Sequence, residues 1–188
     1  MERCGAKVAG VTEDGWNGQN MRMKPTVGVD QCFILLLESG KPTHSDDTLC
    51  LIERLRHFAQ ELAIPSHTVD PPLLQTNDVE TVLRVAMRIA KSKGIPKLLI
   101  AGGTLEKDVT VIAMNGLAEG FDVYLLGDTF IQTDSSYSNL YWNRLIQAGC
   151  VPTTMIQMIA EWIASDADAA KSQKIKSNAE RFDLIENY

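Results

Sequence analysis

The chain has 188 residues and a formal net charge of −6 at pH 7, with a pI of about 5.1. Hydrophobic residues make up 45% and charged residues 22% of it, as in soluble globular proteins. This length predicts one domain that can bury a core without disulfides or metals. The acidic balance argues against nucleic-acid binding, which needs a basic face.

The four cysteines, Cys4, Cys32, Cys50 and Cys150, are scattered along the chain. They form no CxxC pair and no Cys/His spacing typical of zinc sites, so we predict neither a metal site nor a cofactor. The pattern indicates free thiols in a reducing compartment, with Cys32 and Cys50 in the core. No segment has the apolar length of a membrane span, and the N-terminal sequence fits no secretory or transit peptide. These features predict a cytoplasmic protein without a membrane partner.

Three regions differ in composition. Residues 1–30 lack a clear hydrophobic period and predict a poorly ordered N-terminal arm. Residues 31–165 predict an α/β domain, and residues 166–188 a charged helical tail.

Within the middle region, short apolar runs alternate with amphipathic segments. Predicted strands lie at 32–37, 64–69, 97–101, 121–126 and 150–152, and predicted helices at 45–63, 78–94, 105–119, 135–148 and 154–164. This alternation is typical of βαβ units and predicts a three-layer α/β/α fold with a mostly parallel, Rossmann-like sheet. In such folds ligands bind beyond the carboxyl ends of the strands.

The sequence "AGGT", 101–104, joins a predicted strand to the helix predicted for 105–119. It matches neither GxGxxG nor a P-loop, so it predicts no nucleotide site. Glu106 and Asp108 fall in the first helical turn, where acids stabilise a helix by about 0.3–1 kcal/mol. The plainest interpretation of Asp108 is therefore a helix-end acid, and a chemical role stays open beside it.

Several stretches resemble the isochorismatase-like cysteine hydrolases, and most closely the isochorismatase-domain-containing proteins of eukaryotes. They are "FILLLES", Ala101-Gly102 and Gly120-Phe121 on either side of a helix, "DVYLLGDT" and "QAGCVPTTMIQMIAEWI". The resemblance covers most of residues 32–165. It implies a three-layer α/β/α hydrolase fold, a homo-oligomer and a crevice with room for a small-molecule ligand.

The resemblance also implies a site in which the family's catalytic residues are replaced. Asp108 falls at the position of the nucleophilic Cys, and Glu38 at that of the catalytic Asp. The position of the catalytic Lys falls near Thr76, in a stretch of the chain that contains no Lys. Gly103 and Thr104 would line the pocket, with a non-proline cis peptide near them.

Two functions stay open. The first is a protein that keeps the fold, has lost the Asp-Lys-Cys triad and acts as a binding or scaffold protein. The second is a hydrolase in which Glu38 and Asp108 share a proton or hold a cation, with Asp128 as a third group or merely a turn-former. Nuclease activity ranks lower, because the basic residues of the tail alternate with acidic ones.

Overall fold

The computed structural model describes residues 28–38, 46–69, 79–131, 137–165 and 168–185. Nearly all of the predicted arm, and Thr76 with the loop around it, lie outside these residues. The strands are β1 (Cys32–Leu37), β2 (Ser66–Val69), β3 (Lys97–Gly102), β4 (Asp122–Leu126) and β5 (Val151–Thr153). The helices are α1 (Asp46–Glu61), α2 (Val79–Ser92), α3 (Thr110–Ala118), α4 (Ser138–Gln147), α5 (Met155–Ser165) and α6 (Ala169–Arg181).

The five strands form one sheet in the order β2-β1-β3-β4-β5, and every pair in it is parallel. The register of β1 against β3 runs from Cys32 opposite Lys97 to Leu37 opposite Gly102. All six residues of β1 are buried, as expected for a strand with helices over both faces. The predicted parallel sheet is confirmed.

Alternate side chains of the strands enter two separate cores. Ile34 and Leu36 of β1 pack with α1, α5 and α6, where Phe58 stacks on Trp162 with ring centroids 6.2 Å apart. Phe33 of β1 points to the other face and packs with α2, α3 and α4. The three-layer α/β/α fold predicted from the sequence is confirmed.

The charged tail contains the predicted helix, α6, which packs onto the first core. Its Ile175 and Ala179 are fully buried, while charged residues at its end pair with α1. Arg54 Nη1 of α1 lies 3.0 Å from Asp183 Oδ2. Arg181 Nη1 lies 3.3 Å from Glu61 Oε1 of α1. Burial of the apolar face stabilises this docking more than the exposed ion pairs do.

Gly102 ends β3 where the chain passes closest to β1. Its φ is +77°, and a Cβ built on it would lie 2.3 Å from the carbonyl oxygen of Leu37. A side chain would therefore meet backbone, which cannot move aside as a flexible side chain can. Gly120 has a similar φ of +84°, but a Cβ there would meet nothing within 4 Å.

We predict that Gly102→Ala destabilises the protein much more than Gly120→Ala. The Gly120 variant loses about 1–2 kcal/mol from its left-handed backbone alone, whereas Gly102→Ala adds an overpacking cost and loses about 2–5 kcal/mol. Urea unfolding of both variants and the wild type measures the difference. Equal losses of stability in the two variants would show that Gly102 does not lie as close to the Leu37 carbonyl as the structure indicates.

Candidate functional site

The candidate site lies at the carboxyl ends of β1 and β3. Glu38 directly follows Leu37, which pairs with Gly102, so Glu38 and Gly103 come next on neighbouring strands. A Cβ built on Gly103 would lie 2.9 Å from Leu37 Cδ1 and 3.4 Å from Asp108 Cβ. The structure thus brings Gly103 and Asp108 together, next to the strand end that carries Glu38.

The turn after β3 is held in place by the segment after β4. The amide of Gly102 donates to Thr129 Oγ1 at 2.8 Å, and that hydroxyl donates to the Leu126 carbonyl at 2.6 Å. The amide of Ile131 donates to the Gly103 carbonyl at 2.9 Å. Thr129 is fully buried, so its hydroxyl links the two strand ends without competition from water.

The helix expected at 105–119 does not begin as an α-helix. Leu105–Val109 form a π-helical turn, and the α-helix α3 starts at Thr110. The wider turn appears in the bond from the Val109 amide to the Thr104 carbonyl, 3.1 Å, which spans five residues. The Thr110 hydroxyl donates to the Leu105 carbonyl at 2.7 Å, at the junction between the π turn and α3. Single π turns of this kind are frequent at functional sites.

Asp108 lies within this π turn, and its side chain folds back on the start of the helix. Its Oδ2 accepts a hydrogen bond from the Thr104 amide at 3.0 Å. Thr104 is the residue before the helix, and its own side chain makes no capping hydrogen bond. Asp108 therefore satisfies a backbone donor at the positive end of the helix, in the manner of a reciprocal cap.

Glu38 is paired with a cation that was not predicted. Its Oε1 accepts a hydrogen bond from Arg56 Nη2 of α1, and Arg56 Nη1 also lies 2.7 Å from Glu53 Oε2. The side chain of Arg56 is 25% exposed and that of Glu38 is 37% exposed. Arg56 was not predicted as the partner of Glu38, because it lies on a helix whose sequence pattern indicates only an amphipathic surface. The signal in the sequence was its position one turn from the apolar Ile52.

The cis peptide expected near Gly103-Thr104 is absent, since every peptide bond of the described ranges is trans. The chain instead reverses through two successive glycines, Gly102 and Gly103, both with φ of +77°. That conformation costs glycine little, so the turn forms with ordinary trans bonds.

Two of the thiols in the described part of the chain, Cys32 and Cys150, are buried. Cys32 donates to the Val29 carbonyl at 3.5 Å, and burial raises the pKa of its thiol to about 12. Burial also raises the pKa of Cys150 to about 11. The prediction that Cys50 is a core residue is wrong: it is exposed, because α1 turns Ile52 and Leu55 inward instead.

Asp128 follows β4 and serves as a tertiary cap. Its Oδ2 accepts a hydrogen bond from the amide of Met155, the first residue of α5, at 2.8 Å. Desolvation by the surrounding protein raises the pKa of this carboxyl, and the Met155 amide partly offsets that effect. Within the described ranges, no group of three or more His, Cys, Asp or Glu side chains could hold a metal ion.

No family model and no curated protein matches the chain. Several solved structures do match the chain. YcaC from Escherichia coli, an octameric hydrolase of unknown specificity, superposes with a TM-score of 0.62 at 18% identity, over 84% of this chain and 92% of that one.

Among the described helices, none is long and apolar enough to cross a membrane.

Two further structures are similar. YcaC from Pseudomonas aeruginosa, solved with hexane-2,5-diol and covalent acrylamide, has a TM-score of 0.55 at 15% identity, over 80% of this chain and 96% of that one. MAR1 ribonuclease from Caenorhabditis elegans has a TM-score of 0.59 at 14% identity, over 81% and 91%. Identities this low establish the architecture and not the activity. The chain shares its three-layer α/β/α architecture with these structures, as its sequence predicted.

Proposed function

We propose that this chain has lost the catalytic triad of its fold and acts as a binding or scaffold protein that assembles with copies of itself. One observation carries the proposal. The two side chains at the positions of nucleophile and base are both engaged in contacts that stabilise the fold. Asp108 accepts the Thr104 amide, and Glu38 pairs with Arg56.

The chemistry of the turn supports this interpretation. A thiolate at a helix N-terminus is stabilised there and is strongly nucleophilic. A carboxylate in the same place is stabilised too, but it attacks acyl carbons weakly, and Asp108 Oδ2 already accepts a hydrogen bond. Cys32 and Cys150 cannot replace it, because both thiols are buried and protonated at neutral pH.

The charge at the strand end supports the same conclusion. In the family's chemistry a Lys orients the nucleophile and offsets the charge of the acid. Here the guanidinium of Arg56 lies between Glu38 and Glu53 and neutralises one of the two carboxylates. The cation therefore links the end of β1 to α1, which supports a structural role for it.

Assembly and location belong to the same proposal. YcaC from Escherichia coli, which has a similar fold, is octameric, and this supports assembly of the present chain. Cys32, Cys50 and Cys150 are free thiols, as expected in the reducing cytoplasm.

The second candidate is a hydrolase with carboxylate or metal chemistry. Glu38 follows β1 and Asp108 lies in the turn after the neighbouring β3, and this placement favours it, since two carboxylates can bind a cation that activates water. The likeness to MAR1 ribonuclease makes RNA one substrate class to test. A ligand would have to displace Arg56 from Glu38, or Asp108 from the Thr104 amide, before both carboxylates could act.

We predict that Mg²⁺, Mn²⁺ and Zn²⁺ leave the melting temperature unchanged, both in the wild type and in Asp108→Asn. A cation held by Asp108 would bind the native state and raise its Tm by linkage. The Asn side chain can still accept the Thr104 amide, so the substitution itself costs only the charge–dipole part, about 0.3–1 kcal/mol. Thermal unfolding with and without each metal measures both effects.

The same two proteins decide between the candidates when assayed on esters and on RNA. The first candidate expects equal background rates. A metal-dependent rise in Tm that Asp108→Asn abolishes, or turnover that it removes, would instead favour the hydrolase.

We predict that Arg56→Ala costs more stability than Arg54→Ala. Removing Arg56 leaves Glu38 and Glu53 without their shared cation and loses charged hydrogen bonds, about 1.5–3 kcal/mol. Arg54 pairs with Asp183, which is 77% exposed, so its loss costs about 1 kcal/mol or less. Urea unfolding of both variants measures the difference, and equal losses would mean that Arg56 does not hold the strand end.

A further inference from the structure

The outer edge of the sheet at β5 carries an apolar groove away from the candidate site. Among the strands of the described ranges, β5 pairs with β4 alone. A cavity of about 470 Å³ opens beside it. Its lining residues carry no charge: Gly127, Trp142, Ile146, Pro152, Thr153, Thr154 and Gln157.

Of two exposed isoleucines on helices at opposite faces of the sheet, one lines this groove and the other lies beside its lining residues in the chain. Ile146 of α4 lines it and is 46% exposed. Ile156 of α5 is also 46% exposed, and it lies between Thr154 and Gln157, which both line the groove. Exposed apolar groups gathered around a concave surface are typical of an interaction site, because burying them is favourable.

One wall of the groove, the indole of Trp142, is packed against other parts of the chain before anything binds. A Cβ on Gly127 would lie 3.2 Å from Trp142 Cη2, so the absence of a side chain lets the indole lie against the backbone. The other side of the indole stacks on Phe130, with ring centroids 5.7 Å apart. An occupant therefore does not have to order these side chains, which lowers the entropy cost of association.

We propose that the groove is the contact between two copies of this chain related by a two-fold axis. This rests on the self-assembly included in the proposed function. Two chains of net charge −6 repel each other, so they approach at least cost through a surface without charge. A two-fold contact must be self-complementary, and this patch holds both protruding isoleucines and a groove that can receive them.

The groove is filled by side chains and not by an added strand. Pro152 occupies the middle of the three-residue strand β5 and has no amide hydrogen. Proline at an edge strand blocks the continuous ladder that a further strand would need. Isoleucine side chains of the second copy suit such an edge, because they need no hydrogen bonds from its backbone.

The test is sedimentation velocity of the full chain over a range of concentrations, with Ile146→Glu and Ile156→Glu. The matched controls are Val85→Glu and Val111→Glu, which add the same charge at side chains that are 45% and 47% exposed elsewhere. We expect the wild type and both controls to form the same assembly. The groove variants should fall to half its mass or less, with a self-association constant weakened at least 100-fold.

The two groove variants lie on different helices, so if one fails to fold the other still decides. Circular dichroism identifies such a failure. Groove variants that keep the wild-type mass would overturn the proposed interface while leaving assembly intact. A wild type that is monomeric at every concentration would overturn both the interface and the assembly, whereas the metal and turnover tests judge the loss of catalysis separately.

Discussion

The close passage of Gly102 past the backbone of Leu37 is the constraint on which the candidate site depends. No side chain fits between them, so the carboxyl ends of β1 and β3 meet directly. Thr129 fixes this meeting point from β4 through its buried hydroxyl. The π turn that carries Asp108 starts from this position, and Asp108 is thereby directed back to the Thr104 amide. The geometry of this turn is thus set by backbone contacts and by the buried Thr129 hydroxyl.

Much of the fold could be predicted because it depends on local periodicity. The run "CFILLL" is buried on both faces, which specifies a central parallel strand, and the amphipathic segments between strands specify helices that cover a sheet. Features that depend on tertiary placement could not be predicted from the sequence. Arg56 is one surface residue among several on α1 until β1 brings Glu38 beside it. The π turn at Leu105–Val109 looks like ordinary helix in the sequence, since its apolar residues suit either winding.

The corrections share a physical origin. Cys50 lies in an apolar run, but on a helix the neighbours that matter are three and four residues away, and α1 buries Ile52 and Leu55 instead. The cis bond expected at Gly103-Thr104 is replaced by two glycines in the left-handed region, a solution that a resemblance to other chains does not reveal. The interpretation of Asp108 as a helix-end acid agrees with the hydrogen bond that its carboxylate accepts from the Thr104 amide.

The separation of the candidate site from the β5 groove explains how one can change while the other is kept. They lie on β3 and β5, two strand spacings apart, or about 10 Å across the sheet. In the proposed function Asp108 takes the place of a catalytic thiol within a turn that the backbone already fixes, so this substitution leaves the cores on both faces of the sheet undisturbed. An interface built on Trp142 and Ile146 depends on those cores and on the position of α4, and not on chemistry at the end of β3. The proposed loss of the nucleophile is therefore compatible with the proposed assembly, because the two properties draw on different contacts of the same sheet.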